Sequence, residues 1–117
     1  MKRFVIEFGY GVDLHGQDVN NAAAKAVKDA ISHSCLSGLV EICGIEDLDE
    51  VLVDVVIACS RPEEIIAEKI EKVLPVGKKS IRAVKGGMTV SGLDLPMFGD
   101  RCDSIEVAVA CITVSIL

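Results

Sequence analysis

The chain has 117 residues, half of them apolar, and a formal net charge of −6 at pH 7. That length and apolar content predict a single domain, residues 1–117, with a substantial core. The acidic balance, with no basic cluster longer than Lys78-Lys79, argues against a nucleic-acid or anionic-membrane surface, and no apolar run approaches the roughly 20 residues of a membrane-spanning helix.

Only four residues are aromatic, Phe4, Phe8, Tyr10 and Phe98, so the core has to be built from Val, Ile, Leu and Ala. The opening Met1-Lys2-Arg3-Phe4-Val5-Ile6-Glu7 reads as a strand, too short and too early-charged for a signal peptide. The five cysteines (35, 43, 59, 102 and 111) are odd in number and lack C-x-x-C spacing. This predicts reduced, buried thiols in a cytoplasmic protein rather than a secreted disulfide framework.

In chain order, alternation over residues 3–8 predicts a strand, and a glycine-rich loop, 9–16, follows. Asp18 is a good N-cap for a helix from Val19 to Cys35. Its inner face (Val19, Ala22, Ala23, Ala26, Val27, Ala30, Ile31) is mostly alanine, so the helix can sit close to whatever it covers. Gly38 is a plausible stop. Leu39 to Cys43 reads as a short strand extension, and Glu46 to Glu50 as a solvated acidic loop. Val51 to Cys59 is apolar on both faces, as expected of a strand covered on both sides. Asp54 within it reads as a hydrogen-bonded acid. Ser60 and Glu63 make a capping box for a second helix, ended by Pro75 and Gly77. Lys79 to Lys85 reads as a strand, Gly86-Gly87 as a bend, Met88 to Val90 as continued pairing, 91–104 as a loop, and Ile105 to Ile116 as a long closing strand.

The order is β-α-β-α-β-β, an α+β (α/β sandwich) arrangement with a four-stranded mixed sheet and two helices. Its first three strands are parallel. The apolar second faces of 51–59 and 105–116 need a cover, and a second copy of the chain is the simplest one, so a homo-oligomer is expected.

The chemistry points to Gly9-Tyr10-Gly11-Val12-Asp13-Leu14-His15-Gly16. Asp13 and His15 are the candidate catalytic residues. Gly9, Gly11 and Gly16 would approach a ligand, joined by Lys85 and Gly86 and by Asp100 from the 91–104 loop. Three readings stay open. Asp13 and His15 bind a divalent metal such as zinc, with a third ligand from Asp100, Cys102, Asp103 or another subunit. They act as an acid/base pair on a small carboxylate or phosphate, with loop amides holding the anion. Or the segment is a tight turn, in which Asp13 caps amides and His15 bonds a carbonyl. His33 reads as a surface residue near a helix C-terminus, paired with Asp29.

Three resemblances bear on these residues. The element order, with its last strand antiparallel, resembles the Bacillus chorismate mutase-like fold; this implies a trimer with sheets inward, helices outside and sites between subunits. Gly9-x-Gly11-x-Asp13-x-His15-Gly16 resembles, at every fixed position, the G-x-G-x-D-x-H-G signature of the Lin-type conserved hypothetical proteins of bacteria and plants. The whole chain has that family's domain length. This implies a shared fold and site but no reaction. A strand followed by a G-x-G-x-D-x-H-like segment also resembles the start of the methylerythritol cyclodiphosphate synthases, which implies that Asp13 and His15 are zinc ligands at a subunit boundary. Those enzymes take a third ligand from an H-S-D-G-D-type motif, where this chain has only His33-Ser34-Cys35. The expected function is an oligomeric small-molecule enzyme of lyase, isomerase or hydrolase type; the alternative is a metabolite-binding or assembly module in which the loop is structural.

Overall fold

A computed structural model describes all residues, Met1–Leu117. The strands are β1 (Lys2–Asp13), β2 (Leu52–Cys59), β3 (Lys78–Lys85), β4 (Met88–Ser91) and β5 (Ser104–Ile116); the helices are α1 (Val19–Ile31), α2 (Ser37–Glu41) and α3 (Ala67–Glu71). The protein is α+β as expected, with five strands and three helices in place of four and two. No helix is long and apolar enough to cross a membrane.

The sheet order is β1-β5-β2-β3. Both β1 and β2 run antiparallel to β5, and β3 runs parallel to β2, so the first three strands share one direction. After β3, the chain bends at Gly86-Gly87, where Gly87 has φ +72°. It does not continue the same pairing: β4 moves over to pair with the start of β5, Met88 opposite Val107. All three helices contribute to one core on a single face of the sheet, among them Ala22, Ala26 and Ala30 of α1, Leu39 of α2 and Ile70 of α3, packed on Val55, Ile57, Ala110 and Ile112.

The opening strand is longer than its alternation suggests. Gly9 and Gly11 belong to β1 rather than to a loop, and both face α1. A Cβ on Gly9 would lie 2.4 Å from the Ala26 carbonyl oxygen, and one on Gly11 2.2 Å from that of Ala22. The glycines and the alanine face are therefore one device for close strand–helix contact.

Helix α1 starts where expected: the Asp18 side chain accepts from the Asn20 and Asn21 amides. It ends at Ile31, not Cys35, because the Ser32 amide and hydroxyl both turn back to the Asp29 carbonyl. Gly38 is not its stop but lies inside α2, under the Phe4 ring. Residues 39–41 belong to α2 and 42–43 to the turn after it rather than to a strand extension; Gly44 at φ +67° closes the turn, its amide bonded to the Val40 carbonyl, an αL ending.

The second expected helix is broken, and the capping box does not form. Asn20 of α1 reaches across: its Nδ2 donates to the Glu64 carbonyl, and its Oδ1 accepts from the Ile66 amide. Backbone groups that a continuous helix needs are thereby taken. What remains is a 3₁₀ turn at Pro62–Glu64 and the short α3, while Ser60 turns to Glu106 instead.

The sheet's other face is open. Ile6, Phe8 and Tyr10 of β1 are exposed, as are Val109 of β5 and Met88 of β4. Asp54 lies on this face, in register with Thr113 and Ser80, and is exposed rather than a buried acid. All five cysteines are free, but only Cys59 is buried; Cys35, Cys43 and Cys102 are exposed.

Candidate functional site

The first three strands point their C-terminal ends to one edge of the molecule. There the chain passes from β1 into α1, from β2 into Ser60-Arg61, and from the 91–104 segment into β5. Open sheets with parallel strands place their polar sites at this edge.

His15 and Asp100 meet there, 85 residues apart in sequence. His15 Nδ1 lies 2.8 Å from Asp100 Oδ2. Asp100 is buried, and it also accepts from the Leu95 amide, the Gly16 amide and Gln17 Nε2. Loss of water around the carboxylate alone would raise its pKa, but these donors outweigh that effect and hold it well below the usual 3.8. An ionised carboxylate only accepts, so the hydrogen between the two groups belongs to His15 Nδ1. Nε2 makes no hydrogen bond within the chain. The imidazole is partly exposed, and the Phe98 ring lies tilted against it with centroids 5.0 Å apart.

Asp13 does something else. Its Oδ2 accepts from the Asp18 amide and its Oδ1 from Asn21 Nδ2, at 2.8 and 2.5 Å. It fastens the start of α1 and is not paired with His15. The capping role in the turn reading thus holds for Asp13, whereas His15 bonds a carboxylate rather than a carbonyl. Gly16 (φ +94°) and Gln17 (φ +54°) adopt left-handed backbone, which brings the Gly16 amide to Asp100.

Gln17 is buried and ties the edge together. Its Nε2 reaches Asp100 Oδ1 and the Cys102 and Ser104 carbonyls, and its Oε1 accepts from the Arg101 amide. Beside it lies a polar cavity of about 260 Å³ lined by Gln17, Arg61, Arg101, Cys102, Ser104 and Glu106. The Glu106 carboxylate is almost fully buried there. It accepts from Ser60 Oγ, Thr89 Oγ1 and Arg61 Nη1. Arg61 also pairs with Glu64 and bonds the Gln17 carbonyl. Burial lowers its pKa, but Glu64 and Glu106 more than compensate and raise it. Burial pushes the nearby Cys59 thiol up, against the opposing hydrogen bond from the Arg61 backbone.

Among the expected site residues, the structure therefore joins His15, Gly16 and Asp100, all within one chain. Gly9 and Gly11 lie under α1, and Gly86 donates its amide to the Cys59 carbonyl. Lys85 is exposed and stands opposite Cys59 in the sheet register. The zinc reading does not fit the donors. No group of three His, Cys, Asp or Glu side chains is gathered to hold a metal, both Asp13 oxygens are engaged, and His33 pairs with Asp29 at 3.2 Å, exposed near the far end of α1. Gln17, Arg61 and Glu106 escape a reading of the sequence. The signal for Glu106 is a lone acid in an apolar strand, the same signal that singles out Asp54.

These features define an α+β protein with one covered sheet face and a His–Asp pair beside a polar cavity at the C-terminal strand edge. The chain belongs to the family described as Conserved hypothetical protein (Lin0512_fam), whose model matches residues 3–114. It is similar to the crystal structure of an FtsZ-like protein of unknown function from Nostoc punctiforme: 39% identity, 98% of this chain and 95% of that chain covered, TM-score 0.90. A remote likeness is to an empty FtsZ dimer from M. jannaschii, with 14% identity over 92% of this chain and 26% of that chain; its TM-score of 0.33 is too low to bear on fold or function. No curated protein matches the chain.

Proposed function

We propose that the protein is a small-molecule enzyme of proton-transfer type, of lyase, isomerase or hydrolase class, with His15 as its general base. The observation that carries this reading is the buried Asp100 carboxylate bonded to His15 Nδ1. With Nδ1–H held by Asp100, the lone pair of the neutral ring resides on Nε2, the nitrogen left without a partner. When Nε2 takes a proton from a substrate, Asp100 stabilises the imidazolium. The adjoining cavity is lined by Arg101, which pairs with no carboxylate of the chain and suits a substrate bearing a carboxylate or phosphate; Arg61 is held by Glu64, Glu106 and the Gln17 carbonyl. Asp13 has no chemical step in this reading; it sets the loop that presents His15.

The test is to incubate the purified protein with a panel of small carboxylates and phosphate esters and follow each by NMR. The reading expects one class to be converted by the native protein, and His15→Ala and Asp100→Asn to assemble normally yet lose turnover. Turnover retained by His15→Ala would defeat it. A second reading, a binding or assembly module in which the loop is structural, draws support from the engagement of Asp13, Gly16 and Gln17 in fixing the backbone. It expects no conversion and a change in stability or affinity only.

The assembly we propose is a homo-oligomer, most simply a trimer, formed through the open sheet face. Phe8 and Tyr10 project from that face 63% and 64% exposed, and an interface burying about 800 Å² per copy is of standard size. Phe8→Glu should yield monomers by sedimentation; an unchanged sedimentation coefficient would rule this face out.

A further inference from the structure

At the opposite edge of the sheet, beyond the end of α1, lies a second cavity, of about 330 Å³. Its walls belong to the core: Leu39, Val51, Val53, Leu74, Ile112 and Val114 all line it and are almost inaccessible from outside. The volume falls at the lower end of the range for small-molecule sites, and mostly apolar walls with few polar groups are what such sites have.

One of those few groups is the carboxylate of Glu7. It sits on the covered face of β1, opposite the fully buried Ile112 in the register, and is itself buried. Its single hydrogen bond in the chain comes from Ser34 Oγ, to Oε1 at 3.0 Å. No cation pairs with it; the basic groups that form ion pairs are His15, His33, Arg61 and Lys78, with other partners. Every fully enclosed side-chain oxygen has a partner, so the unbonded Oε2 is open to water or to a ligand. Asp13 and Glu106, by contrast, have several donors each. Glu7 is thus a carboxylate among mostly apolar walls with one donor from the chain and one oxygen free to accept another.

We propose that this cavity is a binding site for a small apolar amine, with the ammonium on Glu7 and the hydrocarbon body against Val53, Ile112 and Val114. An ammonium donates to Oε2 at charge-assisted distance and has further donors for Ser34 Oγ. A neutral hydrocarbon offers Oε2 no donor, and an anion would be repelled by the carboxylate. The site is separated from His15 by the length of α1, so it serves a ligand other than the substrate of the C-terminal strand edge.

The test uses the native protein and three ligands of one shape: cyclohexylamine, cyclohexanol and cyclohexanecarboxylate, titrated by ¹H–¹⁵N NMR. The proposal expects the amine to shift resonances of Ser34, Leu39 and Val53. It expects the alcohol to bind at least tenfold more weakly and the carboxylate not to bind. Glu7→Gln should abolish the preference for the amine over the alcohol. Equal binding of amine and alcohol, or an amine that leaves the cavity resonances unmoved, would overturn it; the second result is also expected if a neighbouring copy fills the cavity. Should Glu7→Gln fail to fold, the comparison of amine with alcohol on the native protein still decides.

Discussion

Replacing Gly11 by alanine tests the contact on which the fold turns. Ala22, Ala26 and Ala30 form one i, i+4, i+8 row along α1, and this row lies directly on Gly9 and Gly11 of β1. A Cβ on Gly11 would stand 2.2 Å from the Ala22 carbonyl oxygen and 2.4 Å from the Ala26 nitrogen, against 3.4 Å for ordinary contact, a shortfall of about 1.2 Å. These are backbone atoms, so no rotamer relieves the clash and the helix itself has to withdraw. A gap of 0.5–1 Å forfeits a quarter to a half of the dispersion energy at a contact, and α1 carries six fully buried apolar side chains: Val19, Ala22, Ala23, Ala26, Val27 and Ala30. The cost therefore lies at or above the top of the usual overpacking range, about 3 kcal/mol. Gly16→Ala is the control. It meets nothing closer than an Asp13 oxygen at 3.9 Å, but it has to adopt φ +94°, which costs roughly 1–2 kcal/mol. Urea denaturation at one fixed protein concentration measures both. Gly11→Ala should lower the midpoint by about twice as much as Gly16→Ala or more, with a thermal midpoint shift on the order of 10 °C. Equal losses would show that the motif glycines serve backbone conformation and not helix approach.

The depressed Asp100 pKa sets a pH dependence. A carboxylate whose folded pKa lies below its unfolded 3.8 contributes stability that is complete above that value and lost as pH falls towards the folded one. The stability gap between native protein and Asp100→Asn, from urea midpoints, should shrink as pH falls below 4; a gap constant from pH 4.5 down to 2 would contradict this. Arg61→Ala leaves Glu106, whose side chain is only 4% exposed, with two hydroxyl donors and no cation. It should destabilise by about 2 kcal/mol, and Glu106→Gln in the same chain should recover part of that in a double-mutant cycle; simple additivity would show that the two do not act as a pair.

Much of the architecture is legible in the sequence because its causes are local. The alanine face of α1 and the Asp18 cap are patterns within one segment, and the two-sided apolarity of β2 and β5 marks them as central strands. The failures share a cause: a side chain from elsewhere wins. Nothing near Ser60 shows that Asn20 will take the Glu64 carbonyl and the Ile66 amide and cut the second helix short. Asp54 and Glu106 are each a lone acid in a strand apolar on both faces, so alternation cannot assign their sides. The sheet places Asp54 outward and Glu106 inward, where Ser60, Arg61 and Thr89 wait for it. His15 and Asp100 are each visible as candidates, but their meeting depends on left-handed backbone at Gly16 and Gln17. Glycine hints at that conformation; glutamine does not.

The motif itself reads differently once β1 is seen to run through it. On the covered face of that strand the residues are Glu7, Gly9, Gly11 and Asp13: carboxylate, glycine, glycine, carboxylate, with the period of two that a strand imposes. The glycines admit α1, and a helix seated that close excludes any side chain from the stretch between them. On that face of β1, polar side chains therefore stand only on either side of the two glycines. At one end Asp13 meets the start of α1, accepts from the amide of its cap residue Asp18 and from the Asn21 side chain, and fixes the turn that presents His15 to Asp100. At the other end Glu7 lies beyond the last turn, with only Ser34 to meet it, and faces an apolar cavity. Close packing in the middle of one strand thus produces two separate polar positions, one fully satisfied and one not. The satisfied acid shapes the site beside it, and the unsatisfied one has a charge left to offer a ligand.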